Sequence, residues 1–175
     1  MLRPSNCYAK LVGKADFLLH YCRWLILHAD NWTEHFGFDA IELHRDVIDE
    51  EPVLAEVNKI QKIGKLGLLR VKSKSFYDWH VDAFRLSCIN LLVSDDHHSH
   101  TLFGKKLDSR NREIIELPYE KGRYYIFNNQ MEHCVCNLDE DRYLFSIYFE
   151  EEIVYEDLYQ CVKSSKLLDE GSCQA

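Results

Sequence analysis

From Gly64 to about residue 151 the chain is cut into short segments of β-forming residues, each bounded by polar or turn-forming stretches. They run Leu66 to Val71, Phe76 to Asp82, Leu86 to Val93, His100 to Phe103, Glu113 to Leu117, Arg123 to Phe127, Cys134 to Asn137 and Arg142 to Phe149. Eight short antiparallel strands with helical patterns gathered upstream leave few architectures open. The expectation is a mostly β chain with some α: a double-stranded β-helix, that is, a jelly-roll or cupin-like barrel, with N-terminal supporting helices.

The upstream region supplies those helices. Phe17, Leu18, Tyr21, Cys22, Leu25 and Ile26 recur at helical spacing between Ala15 and Ala29. Asp49-Glu50-Glu51-Pro52 reads as a second helix start, followed by a stripe of Val53, Val57, Ile60 and Ile63 that Gly64 stops. Short strands are expected at Tyr8 to Val12 and at Ala40 to His44, with Asp30 to Thr33 as a break. Downstream, Val154 to Leu168 reads as a last helix or a loosely held extension, and Asp169 to Ala175 as a frayed tail. With 175 residues, 46% of them hydrophobic, there is enough chain for one packed domain and too little for two. The expected organisation is a single domain over 1–175, with helical support at 1–63, the jelly-roll core at 64–152 and an extension at 153–175.

Charge and cysteines narrow the setting. Twenty-one Lys and Arg stand against 29 Asp and Glu, a net charge of −8, and no run of five basic residues occurs. Nucleic acid is therefore not expected as a partner. The seven cysteines are odd in number, scattered and without a C-x-x-C pair, which fits reduced thiols in a cytoplasmic protein. The apolar run from Phe17 to Leu27 begins late, contains His20 and Arg23, and is too short and polar to span a bilayer, so neither export nor membrane insertion is expected.

Three stretches carry candidate chemistry. In Trp79-His80-Val81-Asp82 an imidazole and a carboxylate stand two residues apart, on one face if the run is a strand. A third ligand is available at His133, just before the segment from Cys134. Two histidines and a carboxylate form a facial set that leaves half of an octahedral metal open, as in non-haem Fe(II) oxygenases. In the segment from Arg142 to Phe149, alternation puts Arg142, Leu144, Ser146 and Tyr148 on one face. An arginine opening an otherwise apolar strand needs an anion, because burying an unpaired charge is costly.

These residues resemble the 2-oxoglutarate- and Fe(II)-dependent oxygenase superfamily over about residues 65 to 151. The run Tyr77 to Asp82 and the strand Arg142 to Ser146 are similar to prolyl-hydroxylase-type members, while Gly122 to Phe127 and His133 to Asn137 are similar to the aspartyl/asparaginyl β-hydroxylase pattern. The resemblance implies Fe(II) held by His80, Asp82 and His133, with 2-oxoglutarate and O2 as co-substrates. It makes Arg142 the clamp for the far carboxylate of 2-oxoglutarate, with Ser146 nearby and Ser87 as a further contact. The tyrosine that relatives often carry four residues after Ser87 is Leu91 here, and Leu144 stands where many have a serine. The implied activity is a dioxygenase that hydroxylates a peptidyl residue, an amino acid or a small metabolite.

Plainer readings stand beside these. His80 can be a hydrogen-bonded core histidine, and Arg142 can pair with Asp139 or Glu140 at the turn before its strand. His97-His98-Ser99-His100 follows Ser94-Asp95-Asp96 and reads as a solvated hairpin loop. Cys134 and Cys136 read as packing residues, and Arg85 as either a salt-bridge partner or a substrate contact. The rival from another class is a non-catalytic cupin-like protein that binds a metal or ligand without turnover.

Overall fold

Alternation along β11 (Arg142–Phe149) shows how the molecule is layered. Phe145, Ile147 and Phe149 join one hydrophobic core, whereas Leu144 joins a second. The computed structural model describes residues 1–94 and 99–169. β11 lies inside an antiparallel seven-stranded sheet. Its other strands, in chain order, are β1 (Tyr8–Lys10), β2 (Thr33–His35), β3 (Phe38–Glu42), β4 (Ile63–Val71), β6 (Ser87–Leu92) and β9 (Tyr125–Asn128). Across the sheet the order is β1-β9-β6-β11-β4-β3-β2. A four-stranded sheet, ordered β5-β10-β7-β8, is made of β5 (Ser75–His80), β7 (Ser99–Lys106), β8 (Arg112–Glu116) and β10 (His133–Asn137). All eight expected strands are present, each within three residues of its expected ends.

The first core fills the space between the large sheet and the helices. After the short α1 (Pro4–Cys7), α2 (Asp16–His28) contributes Leu18, Leu19, Cys22 and Leu25, α4 (Pro52–Ile60) contributes Val53, Leu54 and Val57, and α5 (Tyr155–Ser164) contributes Tyr155, Leu158 and Val162. These meet Leu66, Leu68, Ile89, Leu91, Ile126, Phe145 and Ile147 of the sheet. Each fully buried side chain of this kind contributes about 1.5–3 kcal/mol. The second core lies between the sheets and draws on Cys88, Leu92, Phe103, Phe127 and Leu144. Six described cysteines are free thiols, and Cys173 lies outside the described residues. No helix among the described residues is long and apolar enough to cross a membrane.

α2 begins without a side-chain cap of its own, since Ala15 precedes it. Glu51, buried between the short α3 (Val47–Glu50) and α4, supplies one from a distance: its Oε1 accepts the Leu18 N–H at 2.6 Å. Its Oε2 accepts the Tyr124 hydroxyl at 3.1 Å. A carboxylate at a helix N-terminus is favourably placed against both the free N–H groups and the helix dipole.

Several boundaries differ from expectation. The second expected helix is split into α3 and α4 and ends at Ile60, while Ile63 and Gly64 open β4. Gly64 belongs there because a Cβ would stand 3.2 Å from the Glu150 backbone nitrogen, where β11 bulges. Besides the two strands expected within residues 1–63, which form β1 and β3, a third is present: Thr33, expected as part of a break, starts β2. The extension after Glu152 is no loose appendage: α5 is buried along one face and Leu168 bridges to Leu11. Asp169, expected in a frayed tail, pairs with Arg123 at 2.7 Å and Lys10 at 3.3 Å, and residues 170–175 lie outside the description.

Candidate metal centre

His80 closes β5 and His133 opens β10, and the antiparallel register sets them directly opposite one another. Cross-strand partners bring their Cβ atoms to about 5 Å, and here the two rings lie 4.2 Å apart between centroids. Asp82 arrives differently from the expected shared strand face. β5 ends at His80, and the Asp82 N–H donates to the carbonyl of Asn129 at 3.1 Å in the loop that follows. Its Oδ1 stands 3.4 Å from Nε2 of His80 and 3.7 Å from Nε2 of His133. One ligand atom from each of the three residues lies within 4.8 Å of the other two.

The hydrogen bonds around this cluster prepare it for a cation. Nδ1 of His80 lies 2.7 Å from the Asp78 carbonyl, and Nδ1 of His133 lies 2.8 Å from that of Met131. A carbonyl only accepts, so each Nδ1 carries the hydrogen and, in a neutral ring, Nε2 turns a lone pair inward. On Asp82, Oδ2 accepts from Nε of Arg85 at 3.1 Å, from Nη2 of Arg85 at 3.0 Å and from Nδ2 of Asn129 at 2.8 Å. That leaves Oδ1 facing Nε2 of both rings. Three electron-rich atoms in mutual contact need a positive charge among them, and outer hydrogen bonds of this kind are what orient metal ligands. The residues present therefore fit a divalent metal.

The titration directions of His133 and Asp82 agree with that fit, while that of His80 favours a proton that a metal would have to displace. Burial, then the neighbouring His80 charge, pushes His133 down to about 4, so its ring is neutral at pH 7. Burial opposes ionisation of Asp82, but the His80 hydrogen bond and the Arg85 charge outweigh it and hold the carboxyl at about 2. Burial likewise works against a charge on His80, yet the contact with Asp82 raises its pKa. A neutral imidazole and an ionised carboxylate are the forms that bind metal.

A cavity of about 300 Å³ opens from these ligands between the sheets. Arg142 lines it, 4% exposed, with Nη2 donating to the Thr101 hydroxyl at 2.8 Å and the Tyr119 ring 5.7 Å from its guanidinium carbon. Nε of Arg142 has no acceptor. Among the described residues no carboxylate pairs with it, so the expected alternative of Asp139 or Glu140 is not realised. Burial lowers its pKa, the mark of a cation held without an anion.

Two expected contacts are not brought to this end of the cavity. Ser87 points to the helical side with Ile89 and Leu91, and its hydroxyl donates to the Ile153 carbonyl at 2.7 Å. Asn90, from the opposite face of β6, lines the cavity instead. Ser146 shares the Arg142 face, but the two stand four positions apart along the strand, about 13 Å. Its hydroxyl accepts from Nη1 of Arg85 at 2.9 Å. Arg85 thereby ties Asp82 to β11 and also covers the Tyr148 ring at 4.7 Å. Thr101, Asn90, Tyr119 and Asn129 escaped the sequence reading. Thr101 alone had a signal, since alternation in its strand places it on the same face as Phe103. His97 and His98 lie outside the described residues, while His100 sits in β7 with Nδ1 2.7 Å from Oε1 of Glu116.

No family model matches the chain, and neither does any curated protein. Solved structures do. A prolyl-4-hydroxylase from Pseudomonas putida aligns with a TM-score of 0.60 at 12% identity, covering 82% of this chain and 91% of that one. A prolyl hydroxylase from Trichoplax adhaerens, in complex with a hypoxia inducible factor peptide fragment, gives 0.58 at 9% identity over 89% and 86%. HygX from Streptomyces hygroscopicus, with nickel, 2-oxoglutarate and hygromycin B bound, gives 0.57 at 11% over 78% and 80%. The fold of this chain is thus the double-stranded β-helix of the 2-oxoglutarate and Fe(II) oxygenases.

Proposed function

We propose that the chain is an Fe(II)- and 2-oxoglutarate-dependent oxygenase that hydroxylates a small-molecule or peptide substrate, and that it works in the cytoplasm. One observation carries the reading: a His-Asp-His set with fixed outer hydrogen bonds and a buried arginine without an anion line the same cavity. A metal-binding cupin without turnover has use for the first and none for the second.

His80, Asp82 and His133 would hold the iron through Nε2, Oδ1 and Nε2. When bound, iron with 2-oxoglutarate and O2 supplies the oxidation: a substrate C–H becomes C–OH, while 2-oxoglutarate becomes succinate and CO2. Arg142 would pair with the far carboxylate of 2-oxoglutarate, with the Thr101 hydroxyl beside it, while Asn90 lines the same cavity further along, opposite Ser146. Arg85 and Asn129 hold Oδ2 of Asp82, so that a single oxygen is offered to the metal. The chain's contribution is position, since a misplacement of about 1 Å at the reacting atoms can cost about 100-fold in rate.

The test is calorimetry with Mn(II), then with 2-oxoglutarate on the loaded protein, followed by succinate formation with Fe(II) and ascorbate in the absence of a prime substrate. His133→Ala and Asp82→Ala should each remove metal binding. Unchanged Mn(II) affinity in both variants overturns the ligand assignment. Metal binding without 2-oxoglutarate binding in the parent protein leaves the non-catalytic alternative.

A further inference from the structure

The mouth of the same cavity is built of aromatic rings that the metal centre does not use. β2 and β3 are joined by a tight turn through Phe36 and Gly37, with φ of +43° and +90°. Gly37 accepts such a conformation freely; a bulky residue does so only when its surroundings impose it. Phe36 nevertheless stands 83% exposed at the hairpin tip, outside both cores. Phe84, two residues after Asp82, is 84% exposed. Both line the cavity, together with Val81, Phe38 and Tyr148. The aromatic surface continues inward: Phe38 packs edge-on against Tyr77 at 6.2 Å, and Tyr77 edge-on against the His80 ring at 4.6 Å. Exposed apolar residues scattered singly carry no message, but several gathered around one cavity mark a binding surface.

Charge settles what that surface takes. Among the described residues, the ionised side chains lining the cavity are Asp82, Arg85 and Arg142. Asp82 and Arg85 are engaged with each other, and Arg85 is further tied to Ser146. Under the oxygenase reading, on which this inference rests, Arg142 belongs to 2-oxoglutarate. Among the described residues lining the cavity, no carboxylate is left to meet an ammonium group and no cation is left for a second carboxylate. A free amino acid would enter with both of its charges unpaired, a heavy penalty in a partly dry site. The 300 Å³ must hold the co-substrate as well, so the body of the prime substrate lies at the rim, where the rings are.

We propose that the prime substrate is an uncharged small molecule whose reacting carbon is carried by an apolar ring system, seated against Phe36 and Phe84. The probes are 2-naphthol and its two charged counterparts, 2-naphthoate and 2-naphthylmethylammonium, each measured by equilibrium dialysis against protein loaded with Mn(II) and 2-oxoglutarate. The neutral ring should bind roughly tenfold more tightly than either charged one, and Phe36→Ala and Phe84→Ala should each weaken it several-fold, as expected for loss of one apolar face. Leu27→Ala, which removes an equally exposed side chain on α2 outside the cavity, should leave it unchanged. Equal binding of a charged analogue, or full retention in both phenylalanine variants, overturns the proposal. So does parent protein that self-associates while Phe84→Ala stays monomeric, because the rings then cover a second copy of the chain. Direct 2-oxoglutarate calorimetry on the same samples separates this outcome from failure of the oxygenase reading: selective 2-naphthol binding without 2-oxoglutarate binding supports the aromatic seat and removes the oxygenase.

Discussion

The two faces of the large sheet follow opposite rules. Toward the helices every inward side chain of β11 is large and apolar, and Glu51, buried among the helices, has each carboxylate oxygen matched to a donor. Toward the small sheet the same strand presents Arg142 and Ser146 beside Leu144, a cavity stays open, and the arginine lacks an anion. Stability is concentrated on the first face. The second gives up packing for groups that are satisfied only when something binds.

The largest effect that sharpens this contrast is a pair of truncations on adjacent residues of β11. Phe145 is fully buried on the helical side, and Phe145→Ala should cost about 3–5 kcal/mol of unfolding free energy. Leu144 borders a space that already exists, so Leu144→Ala should fall at or below the roughly 2 kcal/mol lower end for such changes. Urea denaturation of both variants decides, and equal costs would mean that the cavity face packs as tightly as the core.

Next comes Arg142→Met. Replacing an unpaired buried charge with an apolar side chain of similar length should stabilise the metal-free protein by about 1 kcal/mol or more. The same change should weaken 2-oxoglutarate binding to the Mn(II)-loaded protein by the roughly 2–5 kcal/mol of a broken, desolvated arginine–carboxylate pair, about 30-fold or more. Lower stability together with unchanged 2-oxoglutarate affinity would show that Arg142 serves the fold. Arg85→Met tests the support beneath the metal. With Oδ2 of Asp82 left to Asn129 alone, Mn(II) affinity should fall about 10- to 100-fold, the usual range for loss of an outer hydrogen-bond partner.

How much of this was legible in the sequence follows the same division. The eight strands could be read because their segments are short and clearly bounded, and the alternation in β11 placed Arg142 on the cavity face correctly. His80 and His133 could be paired because both stand at the edges of strand-like runs. β6 was not legible in the same way: all six of its residues are buried, so neither face stands out as polar, and Ser87 was chosen where Asn90 faces the cavity. Ser146 had the right face and the wrong distance, because alternation gives orientation and says nothing about how far along the strand a ligand reaches. Asp82 left its strand for a loop fixed by Asn129, a partner 47 positions away that no local pattern shows. The Glu51 cap on α2 is equally hidden, since its donor lies 33 positions upstream.

Glu51 provides the smallest and most discriminating test. Burial raises its pKa above the ordinary 4.5; the Leu18 N–H and the Tyr124 hydroxyl work the other way without cancelling it, and the Asp16 charge adds to the rise. A carboxyl with a folded pKa above its unfolded one binds its proton more tightly in the folded state. Its contribution is therefore fully present below the ordinary value and is lost as the pH rises through the folded pKa. At pH 8 the carboxylate carries a net desolvation cost that glutamine avoids. In Glu51→Gln, Oε1 can still accept the Leu18 N–H, while Nε2 can donate to the Tyr124 oxygen. The variant should melt a few degrees higher than the parent at pH 8, where about 1 kcal/mol corresponds to about 2–4 °C for a chain of this size. The gap should close as the pH is lowered through the raised pKa of Glu51 and the carboxylate takes up its proton. If the variant instead melts lower at pH 8 and the deficit narrows as the pH falls, the negative charge itself holds the α2 N-terminus through the helix dipole. The helical face would then depend on an ion as the cavity face does.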